Sequence, residues 1–230
     1  MFKTQFVCFK NPLKKLNLRS SIVLHKSNCR NCKCLPLECV NNVKYLGIHF
    51  NSDMPWNTHL SQICNKLRSV SCLLFNQKVF MPFTIRKSIA HALGYSILRY
   101  GITLFANCSE LWHDKINRIL KGLLKSVGYQ MNFTSDIELF ETLQLPTFYS
   151  LFLQSVVLRH FWSDDFKRPF ISQRNFRHVA RFETPRCFTR YGKRVRSYYV
   201  PLIFNKLPER ILKATTRTTL KKMLTNFNIA

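Results

Sequence analysis

Two clusters carry residue types suited to metal or phosphoryl chemistry. Asp164-Asp165 follows the apolar-aromatic step Phe161-Trp162-Ser163, and adjacent aspartates in that setting are how polymerases hold two magnesium ions. A two-metal site also needs a carboxylate converging from another strand. Here the pair closes a helical pattern directly before Lys167-Arg168-Pro169, so it reads as a solvated helix end. The second cluster is Cys29-x-x-Cys32-x-Cys34-x4-Cys39, with His25 upstream and Arg30 and Lys33 between. Four thiolates could bind zinc, with the two cations offsetting their charge. Ribbons and knuckles use two separated pairs, whereas three of these thiols crowd together, so structural zinc and a hairpin with free thiols both stay open. Glu138 and Glu141 lie one turn apart, but no histidine accompanies them, and none of His59, His91, His113 and His160 has a second histidine four residues on. General acid-base catalysis therefore has no visible pair, and no catalytic residue is assigned.

The third constellation is cationic. Between 163 and 200, Lys167, Arg168, Arg174, Arg177, Arg181, Arg186, Arg190, Lys193, Arg194 and Arg196 alternate with Phe166, Phe170, Phe176, Phe182, Phe188 and Tyr191. Arginine for phosphates and rings for stacking on bases suit a nucleic-acid surface. The alternative is a local aromatic core beneath a solvated basic face. The scarcity of acidic residues there, Asp164, Asp165 and Glu183, argues against it.

These clusters sit in a chain of 230 residues with 36 Lys+Arg against 11 Asp+Glu, a formal charge of +25. Such a surplus repels itself when compact and points to a polyanionic partner, nucleic acid first and an anionic membrane surface second. With 46% hydrophobic residues and 20 phenylalanines the chain can bury a core, which excludes wholesale disorder. The longest stretch without Lys, Arg, Asp or Glu, Thr142 to Leu158, is too short and too polar for a membrane span. Phe6-Val7-Cys8-Phe9 is broken at Lys10, so no secretory signal is expected. Nine cysteines, an odd count, then read as reduced thiols in a nuclear or cytosolic chain.

The elements that must position these residues follow from periodicity. Short apolar runs at Phe6 to Phe9, Ile22 to Leu24 and Val43 to Phe50, with turns at Pro12 and Asn41-Asn42, predict a small antiparallel β element over 1–52. From Trp56 the period becomes helical: Leu60, Ile63, Leu67, Val70 and Leu74, ending at Pro82; then Ile85, Ile89, Ala92, Leu93, Ile97 and Tyr100; then Leu111, Ile116, Ile119, Leu120, Leu123 and Leu124. Further helices are expected over 136–143, 148–161 and 216–226. The fold class is α+β: a β element, a mainly α-helical bundle over 53–162 and a basic C-terminal region over 163–230.

Val43-Lys44-Tyr45-Leu46-Gly47-Ile48, followed by Trp56-Asn57-Thr58-His59-Leu60, resembles the primer-grip hairpin and the start of the thumb in reverse transcriptases of non-LTR (LINE-like) retrotransposons. Phe2-Lys3-Thr4-Gln5-Phe6 is similar to that family's late palm strand. Ser96-Ile97-Leu98-Arg99-Tyr100-Gly101 is similar to its thumb helix ending in Tyr-Gly, and Pro201-Leu202-Ile203-Phe204-Asn205-Lys206-Leu207-Pro208 to its Pro…Trp-Asn-x-Leu-Pro signature, with Phe204 in place of Trp.

The resemblance implies a late palm remnant, a thumb-like region and a tail. Lys3 would lie near the incoming nucleotide, and Lys44, Tyr45, Leu46 and Gly47 would form the turn that holds the primer end. It further implies RNA-directed DNA polymerase activity in the intact family enzyme, with magnesium. The family's two adjacent catalytic aspartates precede the Lys-Thr strand, so a truncated fragment that binds RNA or DNA without polymerising is expected, with no cofactor of its own. Beside Lys3, Lys44, Tyr45 and Gly47, the expected contacts are Arg174, Arg177, Arg181, Arg190 and Arg194. The rival expectations are a zinc-stabilised helical interaction module using Cys29, Cys32, Cys34 and Cys39, and a non-functional retroelement remnant.

Overall fold

The computed structural model of the chain describes residues 4–9, 22–23, 36–53, 56–163, 182–189 and 191–225. Five short strands come first: β1 (Gln5–Phe6), β2 (Ile22–Val23), β3 (Pro36–Cys39), β4 (Asn42–Tyr45) and β5 (Ile48–Asn51). The antiparallel expectation holds for β4 with β5 and for β2 with β3. It fails for β1, which pairs with β3 in parallel, Gln5 opposite Glu38 and Phe6 opposite Cys39. A parallel pair requires a crossover rather than a tight turn, and 29 residues separate Phe6 from Pro36.

Helices α1 (Asn57–Gln77), α2 (Phe83–Ile89), α3 (Ser96–Arg99), α4 (Ile102–Phe105), α5 (Glu110–Val127), α6 (Asp136–Thr142) and α7 (Phe148–His160) follow, then α8 (Arg196–Lys206), α9 (Glu209–Leu212) and α10 (Arg217–Thr225). The chain forms two compact units that divide within α1, between Ile63 and Cys64. The described residues of 163–230 belong to the same unit as the helices before them. Among the described residues no helix is long and apolar enough to cross a membrane.

The second unit is organised around α7. Phe148, Leu151, Phe152, Leu153, Val156 and Val157 are all buried, so the apolar surface runs around the whole helix rather than along one stripe. A helix of that kind belongs in a core. It is covered by α3, α4, α5, α8 and α10. Much of the uncharged stretch of the sequence is therefore buried inside this unit. Local signals set its ends: Thr147 accepts a hydrogen bond from the Ser150 N–H at 3.2 Å, and Ser135 does the same for α6 through Glu138 N–H at 3.2 Å.

One helical face differs from its expectation. Ile85, Leu93 and Tyr100 are exposed, while Arg86, Ala90, Gly94, Tyr95 and Leu98 are buried. A six-residue π-helical stretch, Ala90–Tyr95, joins α2 to α3 without a break, and its wider turn rotates the following residues off the 3.6-residue stripe. The buried face also uses small residues for close approach, since a Cβ on Gly94 would lie 3.1 Å from Leu123 Cδ1. Tyr95, fully buried, donates its hydroxyl to the Pro146 carbonyl at 2.9 Å, which satisfies the one polar atom that burial brings inside.

The helix α8 was not anticipated, because Pro201 sits in its middle and removes a backbone donor. Burial of Val200, Pro201, Ile203 and Phe204 against the core compensates.

His113 generates a pH prediction. Its Nε2 lies 2.8 Å from the Ala106 carbonyl, and the ring packs on Phe148 with centroids 5.0 Å apart. Burial, the largest cause, holds its pKa below 6.5, with the Ala106 hydrogen bond opposing. The unfolded chain therefore takes up the proton first. Stability from this site is complete above pH 6.5 and is lost as pH falls toward the depressed folded value. Thermal unfolding is expected to show a constant Tm above that pH and a decline below it, shallower in His113→Gln. Equal declines in the two proteins would contradict the assignment.

Candidate nucleic-acid interface

The β4–β5 hairpin is built from a simple constraint. Tyr45 and Ile48 are paired, so only Leu46 and Gly47 are left to reverse the chain. Both have positive φ, 47° and 79°, the type I′ turn whose twist matches a two-residue hairpin. Gly47 adopts this region freely, whereas Leu46 pays a steric cost of roughly 1–2 kcal/mol that Asn or Gly would largely avoid. Inside the hairpin Ile48 is buried. Behind it, Phe50 packs on Trp56 with centroids 5.4 Å apart, and His49 stacks on the buried His59 at 6.3 Å. Trp56, at φ 57°, turns the chain into α1, and Asn51 donates to the Thr58 hydroxyl at 3.1 Å.

The tip faces outward. Tyr45 is 65% and Leu46 70% exposed, and Lys44 and Gly47 are exposed beside them. A cation, a phenol ring and an apolar side chain thus stand together on a narrow turn. The chemistry available is a charge for a phosphate and a ring for a base or sugar.

In the basic region, Arg194 ends a 3-10 turn, Gly192–Arg194. Its guanidinium carbon lies 5.7 Å from the Tyr191 ring centroid, a cation-π contact that leaves Tyr191 exposed. Asn107 donates to the Lys193 carbonyl at 3.2 Å, which anchors the turn to the helices. The rings of this region divide between two roles. Phe188 is 94% exposed. Phe182 instead packs edge-on against buried Phe204 at 5.8 Å, and the Asn205 amide bonds both the Phe182 N–H and carbonyl at 2.9 Å. The Phe204-Asn205 step is thus a clamp that holds Phe182 on α8, and for this ring the local-core reading applies.

Lys3, Arg174, Arg177, Arg181 and Arg190 lie outside the described residues, as do Asp164 and Asp165. So do Cys29, Cys32 and Cys34, whereas Cys39 is exposed at the end of β3. Near it lies Cys8, a cysteine the spacing argument had left aside, carried there by the pairing of β1 with β3. Partial burial, and then Cys39 itself, raise the Cys8 thiol above its ordinary value. Burial likewise raises Cys64, and pushes Cys108 up to about 11, so these thiols are protonated near neutrality and poorly nucleophilic. Glu138 accepts from the Thr134 N–H at 2.7 Å and from its hydroxyl, a helix-capping role that accounts for this carboxylate.

Sequence reasoning found the hairpin through its motif but missed the strain at Leu46. No spacing rule marks a leucine as left-handed until the register of both strands is known. No family model, curated protein or solved structure matches the chain.

Leu46 supplies a test. Leu46→Asn is expected to raise the unfolding free energy by about 0.5–1 kcal/mol, through relief of left-handed strain. The same change is expected to weaken oligonucleotide binding, because it removes an apolar contact at the tip. A variant that loses stability would contradict the turn geometry.

Proposed function

We propose that this chain grips a strand of RNA or DNA and that residues 2 to 208 correspond to the late palm, thumb and tail of a non-LTR-type reverse transcriptase. The observation that carries the binding reading is the hairpin tip, where Lys44, Tyr45 and Leu46 are presented to solvent on a two-residue turn. Charge arithmetic supports it. With 36 basic and 11 acidic residues, at least 25 cations have no side-chain carboxylate to themselves in any fold. Phosphates supply the missing anions, and release of their counterions drives association.

The retroelement assignment rests on the order of four motifs along the chain, and the clamp role of Asn205 gives one of them a physical purpose. In that family's order the catalytic aspartates precede the Lys3-Thr4 segment. These 230 residues alone are accordingly proposed to hold a nucleic acid without extending it. Two-metal phosphoryl transfer needs carboxylates that converge on the ions, and apart from the Asp164-Asp165 pair the acidic residues of this sequence are dispersed.

Fluorescence anisotropy with labelled RNA and DNA oligonucleotides tests the binding reading. Affinity is expected to fall steeply with salt, and the slope of log K against log salt to become shallower by about 2–3 when Arg174, Arg177 and Arg181 are changed to Ala. Lys44→Ala with Tyr45→Ala is expected to cost about 1–3 kcal/mol of binding. A flat salt response would remove the electrostatic basis. Primer extension by the purified chain with magnesium or manganese would refute the non-polymerising part.

A further inference from the structure

A groove of about 580 Å³ runs between α1 and α5, remote in sequence from the hairpin tip and from the basic C-terminal segment. One wall is a stripe of α1, Arg68, Ser71 and Phe75, continued by Lys78 just past the helix end. The other wall is α5, with Gly122 and Lys125. Three cations border the space, and among the described residues no carboxylate lines it.

Details of the walls favour a ligand that is both anionic and aromatic. The Lys78 ammonium sits 3.7 Å from the Phe75 ring centroid and 4.4 Å from that of Tyr129, so its charge is held in place between two rings. Phe75 remains more than half exposed. Arg68 is oriented by Asn65, whose side-chain oxygen it meets at 2.9 Å. Gly122 lies in the interior of α5, where glycine is intrinsically unfavourable, and its exposed Cα forms part of the floor. A Cβ there would sit 3.7 Å from Ser71 Oγ, ordinary contact distance.

From Arg68 to Phe75 the α1 wall is about 10 Å long at a rise of about 1.5 Å per residue, and Lys78 extends it just past the helix end. That length suits about three stacked nucleotides at a rise of about 3.4 Å. The exposed Phe75 ring stacks on a base only where that base is not held inside a duplex, which favours a single strand.

We infer that this groove is a track for a single strand of nucleic acid, with phosphates on Arg68, Lys78 and Lys125 and a base against Phe75. The inference rests on the nucleic-acid reading above and adds to it a second contact surface and a preference for unpaired strands. An acidic peptide would use the cations but would leave the exposed ring without a stacking partner.

The experiment compares single-stranded RNA and DNA oligonucleotides, and a blunt duplex of equal length, for binding to the wild-type chain, Gly122→Glu and Lys125→Glu. Glutamate is a better helix former than glycine, so Gly122→Glu is expected to unfold cooperatively at or above the wild-type temperature, and Lys125→Glu is an exposed charge change that covers the case in which it does not. Both charge variants are expected to lose at least about tenfold in single-strand affinity, with duplex affinity within about twofold. Unchanged single-strand affinity in both folded variants would overturn the track while leaving the general function standing. Failure of the wild-type chain to bind any oligonucleotide would overturn both. Displacement of the bound strand by a polyglutamate peptide whose own binding is lost in Gly122→Glu would reassign the groove to an acidic protein segment.

Discussion

Burial of α7 is the constraint on which the second unit depends. Its apolar side chains are spread around most of its circumference, and eight of its thirteen residues are buried. At about 1.5–3 kcal/mol for each large apolar side chain fully withdrawn from water, this helix contributes on the order of 10 kcal/mol before entropy is counted. That gain is realised only when other elements cover every side, which is why α3, α4, α5, α8 and α10 all meet it. Each covering helix spends its apolar face inward. Its cations are left on the outside, where few carboxylates exist to pair with them.

Fold and charge are therefore two sides of one arrangement. A chain with 25 surplus positive charges can remain compact because its core is apolar and its cations are spread over solvated faces. The same spreading sets up the proposed binding surfaces. The hairpin tip, the Arg194–Tyr191 turn and the α1–α5 groove each combine a cation with an exposed ring, a pairing that addresses both the charge and the bases of a nucleic acid.

Much of this was legible in the sequence where one physical signal dominated. The helices α1, α5, α6, α7 and α10 fall close to the spans that periodicity, caps and prolines indicated. The hairpin was legible because alternation and a glycine turn agree. Where two signals competed, the stronger-looking one misled. In α2 and α3 the large residues Ile85, Leu93 and Tyr100 promised a core face, but small residues at Ala90 and Gly94 let the backbone approach α5, and the π-helical stretch shifted the register. Leu111, likewise counted on the apolar face of α5, is exposed at its first turn. Pro201 hid α8. The Cys8–Cys39 contact and the groove were out of reach, since each joins residues separated by tens of positions, and only tertiary packing brings them together.

The central claim, that outward cation and ring pairs hold a nucleic-acid strand, is tested most directly by photo-crosslinking. The purified chain would be irradiated with a 4-thiouridine RNA and with the corresponding thiolated DNA strand, and the attached peptides sequenced by mass spectrometry. The account predicts adducts on Tyr45 in the hairpin and on Phe75 or Tyr129 beside the groove, suppressed by salt. Adducts scattered without regard to these rings, or none above those of a comparably basic control protein, would contradict it.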